Sequence, residues 1–180
     1  YNLFCGGIRN INGSMDTSDN DNVGTSSSES EQLHNMYPTR GNGIMANNSG
    51  VEIANVLIIN NYGSLGAGLF VLYHTVYANN IAIVNNVADG RGGGLQIDVG
   101  GWFTCKNCFF EDNVTGRKGG AVYLDYRSSL TLSGEYSYFG KNLAYDGGGA
   151  LSIDGSSIVS MSSTNVTFVD NSCFQDGPAI

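Results

Sequence analysis

Three aspartates recur at one point of a repeating pattern: Asp98, Asp125 and Asp154 each lie three residues past an aliphatic anchor, Leu95, Val122 and Leu151. Stacked carboxylates could hold a cation such as calcium, or act as the acid and base of a sugar-degrading site. Like charges this close resist full ionisation unless they splay apart or share a metal. The plainer reading is structural. Each aspartate opens a corner rich in Gly or Ser, as in Asp98-Val99-Gly100-Gly101 and Asp154-Gly155-Ser156-Ser157. A lyase or hydrolase also needs a basic partner, or carboxylates set around the glycosidic bond. Arg91, Arg117 and Lys118 fall elsewhere in the repeat, and His34 and His74 are isolated. An enzyme is therefore not expected, and no cofactor beyond the calcium candidate.

Other residue types carry weaker chemistry. Cys105-Lys106-Asn107-Cys108 has CxxC spacing without a second pair, so zinc is not expected. Both sulfurs take inward positions across one corner, which leaves packed thiols or a corner disulfide. The Ser- and acid-rich stretch from about 12 to 37 reads as an insertion. Asp19, Asp21 and Gly24 partly mimic a calcium loop, but Val23 holds a ligand position, and a solvated excursion is the plainer reading. Sequons begin at Asn12, Asn47, Asn113 and Asn165. Asn113 belongs to a packed column and should stay unmodified, whereas Asn12, Asn47 and Asn165 face outward as candidate glycan carriers. The outward aromatics Phe70, Tyr73, Tyr123 and Tyr126 read as scattered, ordinary surface residues.

The elements that position these residues come from a repeat. A small-residue pair followed by an aliphatic ends at Ile8, Ile44, Leu69, Leu95, Val122, Leu151 and Ile180. From Ile44 onward the gaps are 25, 26, 27, 29 and 29. A second series runs in step, an apolar residue three before an Asn: Ile58/Asn61, Ile83/Asn86, Phe110/Asn113, Phe139/Asn142 and Phe168/Asn171. Each Asn precedes the next anchor by 8 or 9 residues. Between them lie alternating apolar pairs such as Phe103/Cys105 then Cys108/Phe110, and Leu130/Leu132 then Ser137/Phe139. Alternation marks a strand with one buried face. The expected coil therefore has three strands, on the anchor, the second pair and the third pair, with the segment from Asn to the next anchor as a corner.

This pattern predicts an all-β fold, a right-handed parallel β-helix (β-solenoid) of about six to seven coils of 25–29 residues, formed by 1–180 as one segment of a longer chain. Phe110, Phe139 and Phe168 should stack ring on ring. The column Asn61, Asn86, Asn113, Asn142 and Asn171 should bond amide to amide, each Asn also taking the left-handed backbone of a tight corner. Glycines before the anchor let the chain turn where a Cβ would clash.

Composition closes off several functions. The net charge is −8, with no basic patch, so nucleic acid is not an expected partner. No apolar run approaches the roughly 20 residues of a membrane span. The start at Tyr1, without a signal pattern, reads as a mature or excised segment.

The paired signature Gly119-Gly120-Ala121-Val122, Gly148-Gly149-Ala150-Leu151 and Phe110 to Asn113, Phe139 to Asn142, Phe168 to Asn171 resembles the repeats of the chlamydial polymorphic outer-membrane (Pmp) family. The resemblance covers roughly 40 to 180 and is degenerate before 93, where Gly-Asn-Gly-Ile and Gly-Ala-Gly-Leu stand in. It implies a secreted, β-helical, surface-exposed protein, often adhesive. The expectation is a non-catalytic extracellular or cell-surface solenoid, structural or adhesive. Its partners would be a protein or glycan at a surface, or further copies of itself or sister subunits. The alternatives are a building block of an extracellular filament and a carbohydrate-active β-helix enzyme.

Overall fold

A computed structural model describes residues 7–10, 15–16, 43–47 and 50–175. Asn12, the side chain of Asn47, most of the 12–37 insertion and the anchor Ile180 lie outside the described residues. The described chain is all β, wound as a parallel β-solenoid with three sheets.

The anchor residues form one sheet: β2 (Met15–Asp16), β3 (Ile44–Asn47), β6 (Leu69–Leu72), β9 (Leu95–Asp98), β12 (Val122–Leu124) and β15 (Leu151–Ile153). Its register aligns Ile44, Leu69, Leu95, Val122 and Leu151, as the spacing predicts. The second sheet holds β1 (Gly7–Asn10), β4 (Val51–Ile59), β7 (Thr75–Val84), β10 (Trp102–Glu111), β13 (Ser129–Gly140), β16 (Ile158–Met161) and β17 (Asn165–Val169). The third is β5 (Tyr62–Leu65), β8 (Val87–Arg91), β11 (Val114–Thr115), β14 (Leu143–Ala144) and β18 (Ser172–Cys173).

This partition differs from the expected one. The second and third apolar pairs share one long strand, kinked at a left-handed residue: Asn55 (φ 55), Asn80 (φ 54), Asn107 (φ 58) or Gly134 (φ 90). The bend keeps both pairs facing inward, because one residue is absorbed without reversing the alternation. The third sheet arises instead in the segment after the ladder Asn, too short in apolar matter to announce itself. The longer spacing in β13 falls at the kink, where Asn107 alone opposes Gly134, Glu135 and Tyr136. The Asn107 side-chain oxygen accepts from the Glu135 and Tyr136 amides at 2.8 and 3.3 Å and closes this bulge.

Among the described residues the kinked sheet holds five parallel layers. Ile8 pairs with Ile53, because β1 runs antiparallel along β4, so it is not a rung of the anchor column. β2 is likewise antiparallel to β3.

Inward columns form the core. Phe110 and Phe139 stack at 4.9 Å between centroids, and Phe139 and Phe168 at 4.8 Å. That separation equals the interstrand spacing, so parallel pairing itself sets the ring contact. Cys105 and Cys108, both fully buried, are joined as a disulfide with Cα atoms 6.1 Å apart, across the Asn107 kink.

Two glycine rules explain the motif before the anchor. The residue three before it is left-handed at Gly66, Gly92, Gly119 and Gly148. At Gly120 a Cβ would stand 2.1 Å from the Gly149 carbonyl oxygen, so the next coil permits no side chain.

Candidate functional site

The buried Asn column is the first polar constellation. Asn61, Asn86, Asn113 and Asn142 each donate Nδ2–H to the Oδ1 of the Asn one coil on, at 2.8, 3.0, 2.9 and 2.9 Å. The same Oδ1 atoms accept the backbone N–H of the donor residue at 3.0 to 3.1 Å. The other Nδ2 hydrogens reach back to the carbonyls of Ile58, Ile83, Phe110 and Phe139. Every ladder amide thus bridges coils. The expected left-handed conformation belongs to the residue before it: Asn60, Asn85, Asp112, Lys141 and Asp170, with φ of 53 to 59. That preceding turn swings the Asn side chain inward. Burial of Asn113 makes its sequon inaccessible in the fold, whereas Asn165 is exposed.

The second constellation lies outside the anchor sheet. The segment before each anchor folds over that sheet, close enough that a Cβ on Gly92 would stand 2.9 Å from the Gln96 Cβ. Phe70 and Tyr123 are consequently buried, not scattered on the surface as expected, and Gln96 is buried between them. The same overlay brings cations onto the Asp column. Arg91 Nη1 lies 3.5 Å from Asp125 Oδ2, and its guanidinium sits 4.9 Å from the Tyr123 ring centroid. Lys118 Nζ lies 2.9 Å from Asp154 Oδ2. Tyr123 Oη lies 3.0 Å from Asp125 Oδ2 and 3.1 Å from Asp154 Oδ2, so its one hydrogen is shared between neighbouring coils. The expected separation of basic residues from the aspartates is therefore wrong for Arg91 and Lys118. A detectable signal existed: both stand four before one anchor, and their partners three after the next. Arg117 instead pairs with Asp146 at 3.6 Å.

Each group responds to this packing. Burial pushes the Tyr123 hydroxyl well above its usual range, helped by its bond to Asp125. Burial raises Asp98, with the Asp125 charge adding, against the Val99 amide, Gln96 and Arg91. Burial also pushes Asp154 up, but the Lys118 and Tyr123 hydrogen bonds and the charges of Lys118 and Arg91 outweigh it, leaving Asp154 lowered. Gln96 donates to Asp98 Oδ2 at 3.3 Å, while its Oε1 is buried without a partner. Among the described residues, no three His, Cys, Asp or Glu side chains gather as a metal-holding group. The arrangement is a set of ion pairs clamping coil to coil.

One stretch of the solenoid matches a known repeat. Residues 107–125 fit the Chlamydia polymorphic membrane protein repeat. The match runs from the left-handed Asn107 through Phe110, Asn113 and Gly119-Gly120-Ala121-Val122 to Asp125, so one Pmp repeat contains the kink, the ladder Asn, the overlay turn and the clamped carboxylate. No curated protein and no solved structure matches the chain. The matched stretch lies within one turn of the parallel β-solenoid.

Proposed function

We propose that the chain is a non-catalytic solenoid displayed at a cell surface or outside the cell, with a structural or adhesive role. The observation that carries this reading is the unbroken Asn and Phe columns: the repeat's own chemistry is spent on stacking, and long side walls are left as contact surfaces. The Cys105–Cys108 disulfide suits an oxidising compartment. The matching repeat is that of a membrane protein family.

Protease treatment of intact source cells tests location, with antibody to this chain as the readout. The chain should be cleaved without lysis; protection until lysis would overturn the reading. Beads coated with the chain should then bind target cells if the role is adhesive.

A carbohydrate-active reading has one observation in its favour, the basic groups on Asp125 and Asp154. Against it, those carboxylates already share Tyr123 and their cations. Turnover of a polysaccharide, abolished by Asp125→Asn, would support it. A filament reading needs another copy to meet the first coil, where β1 and β2 already lie antiparallel along β4 and β3.

A further inference from the structure

One corner, from the anchor sheet into the kinked sheet, exposes large aromatic side chains. Successive coils pass through it at Tyr73-His74, Val99-Gly100-Gly101 and Tyr126-Arg127-Ser128. Their backbones bond edge to edge: Tyr73 N–H to the Asp98 carbonyl at 3.4 Å, Trp102 N–H to the His74 carbonyl at 2.7 Å, and Gly100 N–H to the Tyr126 carbonyl at 2.8 Å. Tyr73 and Tyr126 thus flank Val99 on the coils either side of it, 43% and 67% exposed, and Trp102, 59% exposed, begins the strand just past Val99 in register with Thr75 and Ser129. Trp102 pairs with Thr75, which sets Tyr77, 52% exposed, in the next outward row.

The backbone here is unusual. Tyr73, Tyr126 and Arg127 are left-handed, with φ of 64, 50 and 60. One coil on, the same turn is Gly155-Ser156. Turns with two successive left-handed residues favour Gly, which has no Cβ to crowd the following carbonyl, and Asn and Asp, whose short polar side chains bond locally. A Tyr-Arg pair is therefore among the poorer choices for folding, and its side chains are exposed. Strain held at exposed residues points to a use for the side chains.

We propose that this corner is a ridge that binds an uncharged glycan, its pyranose rings lying on Tyr73, Trp102 and Tyr126. The inference rests on reading the chain as a surface solenoid and names the ligand of one wall. Aromatic faces take the apolar face of a ring, while their polar edges stay wet. Hydroxyls flank the rings, since Thr104, Ser129 and Thr131 share the outward rows of Tyr77 and Trp102. Arg127 is exposed and available to donate to sugar hydroxyls. The net charge of −8 opposes polyanionic sugars and favours neutral ones.

Trp102 is the only tryptophan, so its emission reports on the ridge directly. The intact chain is titrated with cellohexaose, chitohexaose and mannohexaose, and with heparin and polygalacturonate. At least one neutral oligosaccharide should shift the emission saturably. Binding should weaken tenfold or more in Tyr73→Ser and in the double variant Tyr126→Asn/Arg127→Gly. That double variant should also melt at a higher temperature, having shed strain, so lost binding cannot be blamed on lost folding. No response to any neutral sugar, binding to the polyanions alone, or full affinity in the double variant would each overturn the proposal. A chain that is cleaved on intact cells yet binds none of these sugars sinks this inference and leaves the surface reading standing.

Discussion

Arg91 meets Asp125 at 3.5 Å across adjacent coils, and Lys118 repeats the contact with Asp154 one rung on. One rung earlier the series fails. Leu65 stands in register with Arg91, so Asp98 lacks the equivalent cation.

Asp98 should therefore limit stability at neutral pH. Its folded pKa is raised, mainly by burial, so the folded chain holds a proton that the unfolded chain releases. Its contribution is best in acid and declines as pH rises from the ordinary carboxylate value of about 3.9 through the raised one. Asp98→Asn should raise the urea midpoint at pH 7 and change little near about pH 3. Its amide also gains a hydrogen to offer the orphaned Gln96 Oε1. Leu65→Lys should supply the missing partner, adding about 0.2–1 kcal/mol. Asp154 has the opposite sign: its lowered pKa gives stability above the ordinary carboxylate value that is lost as pH falls through the folded one. A midpoint for Asp98→Asn below the parent's at pH 7 would contradict the account.

Asn113→Leu keeps the shape but removes the ladder bonds. Asn86 would lose the acceptor of its backbone and side-chain donors, both buried. Leaving such groups unpaired should cost roughly 2–6 kcal/mol. Asn171→Leu, at the more open end, should cost about 1 kcal/mol. Equal losses in chemical denaturation would show that burial does not set the ladder's value.

Gly120 and Ala121 make a sharp pair. Gly120→Ala places a Cβ against the Gly149 carbonyl and, at 2.7 Å, the Leu143 nitrogen, so the coils must part. The expected loss is about 3 kcal/mol, the upper end for overpacking. Ala121→Gly should cost only about 1 kcal/mol. Thermal melts of the two variants check the order.

Alkylation of the unfolded, unreduced chain should leave Cys105 and Cys108 unmodified. The double Ala variant should lose about 2 kcal/mol, as expected for a very short loop. Full labelling of both thiols would remove the disulfide and its support for an oxidising compartment.

The columns were legible because they are one-dimensional: Phe110, Phe139 and Phe168 keep both residue type and offset from the anchor, and parallel pairing needs nothing else. The two apolar arms looked like separate strands because a kink and a corner differ only in angle, which Asn107 does not reveal. Val114 and Leu143 give no strand signal in the sequence, because a two-residue strand has no period. Tyr123 looked exposed because alternation reports which side of the sheet a residue takes, not whether chain from the neighbouring turn lies over it. The Arg91–Asp125 clamp joins residues 34 apart in sequence that meet only around the axis.

The amide column has a further consequence. Every bond from one ladder amide to the next runs in the same sense, from Asn61 toward Asn171. The dipoles therefore add along the axis, and the rod has a head and a tail of different chemistry: oxygen at one terminus, hydrogen at the other. Anything that prolongs this column must arrive with the matching polarity, so two identical ends cannot be joined without breaking it.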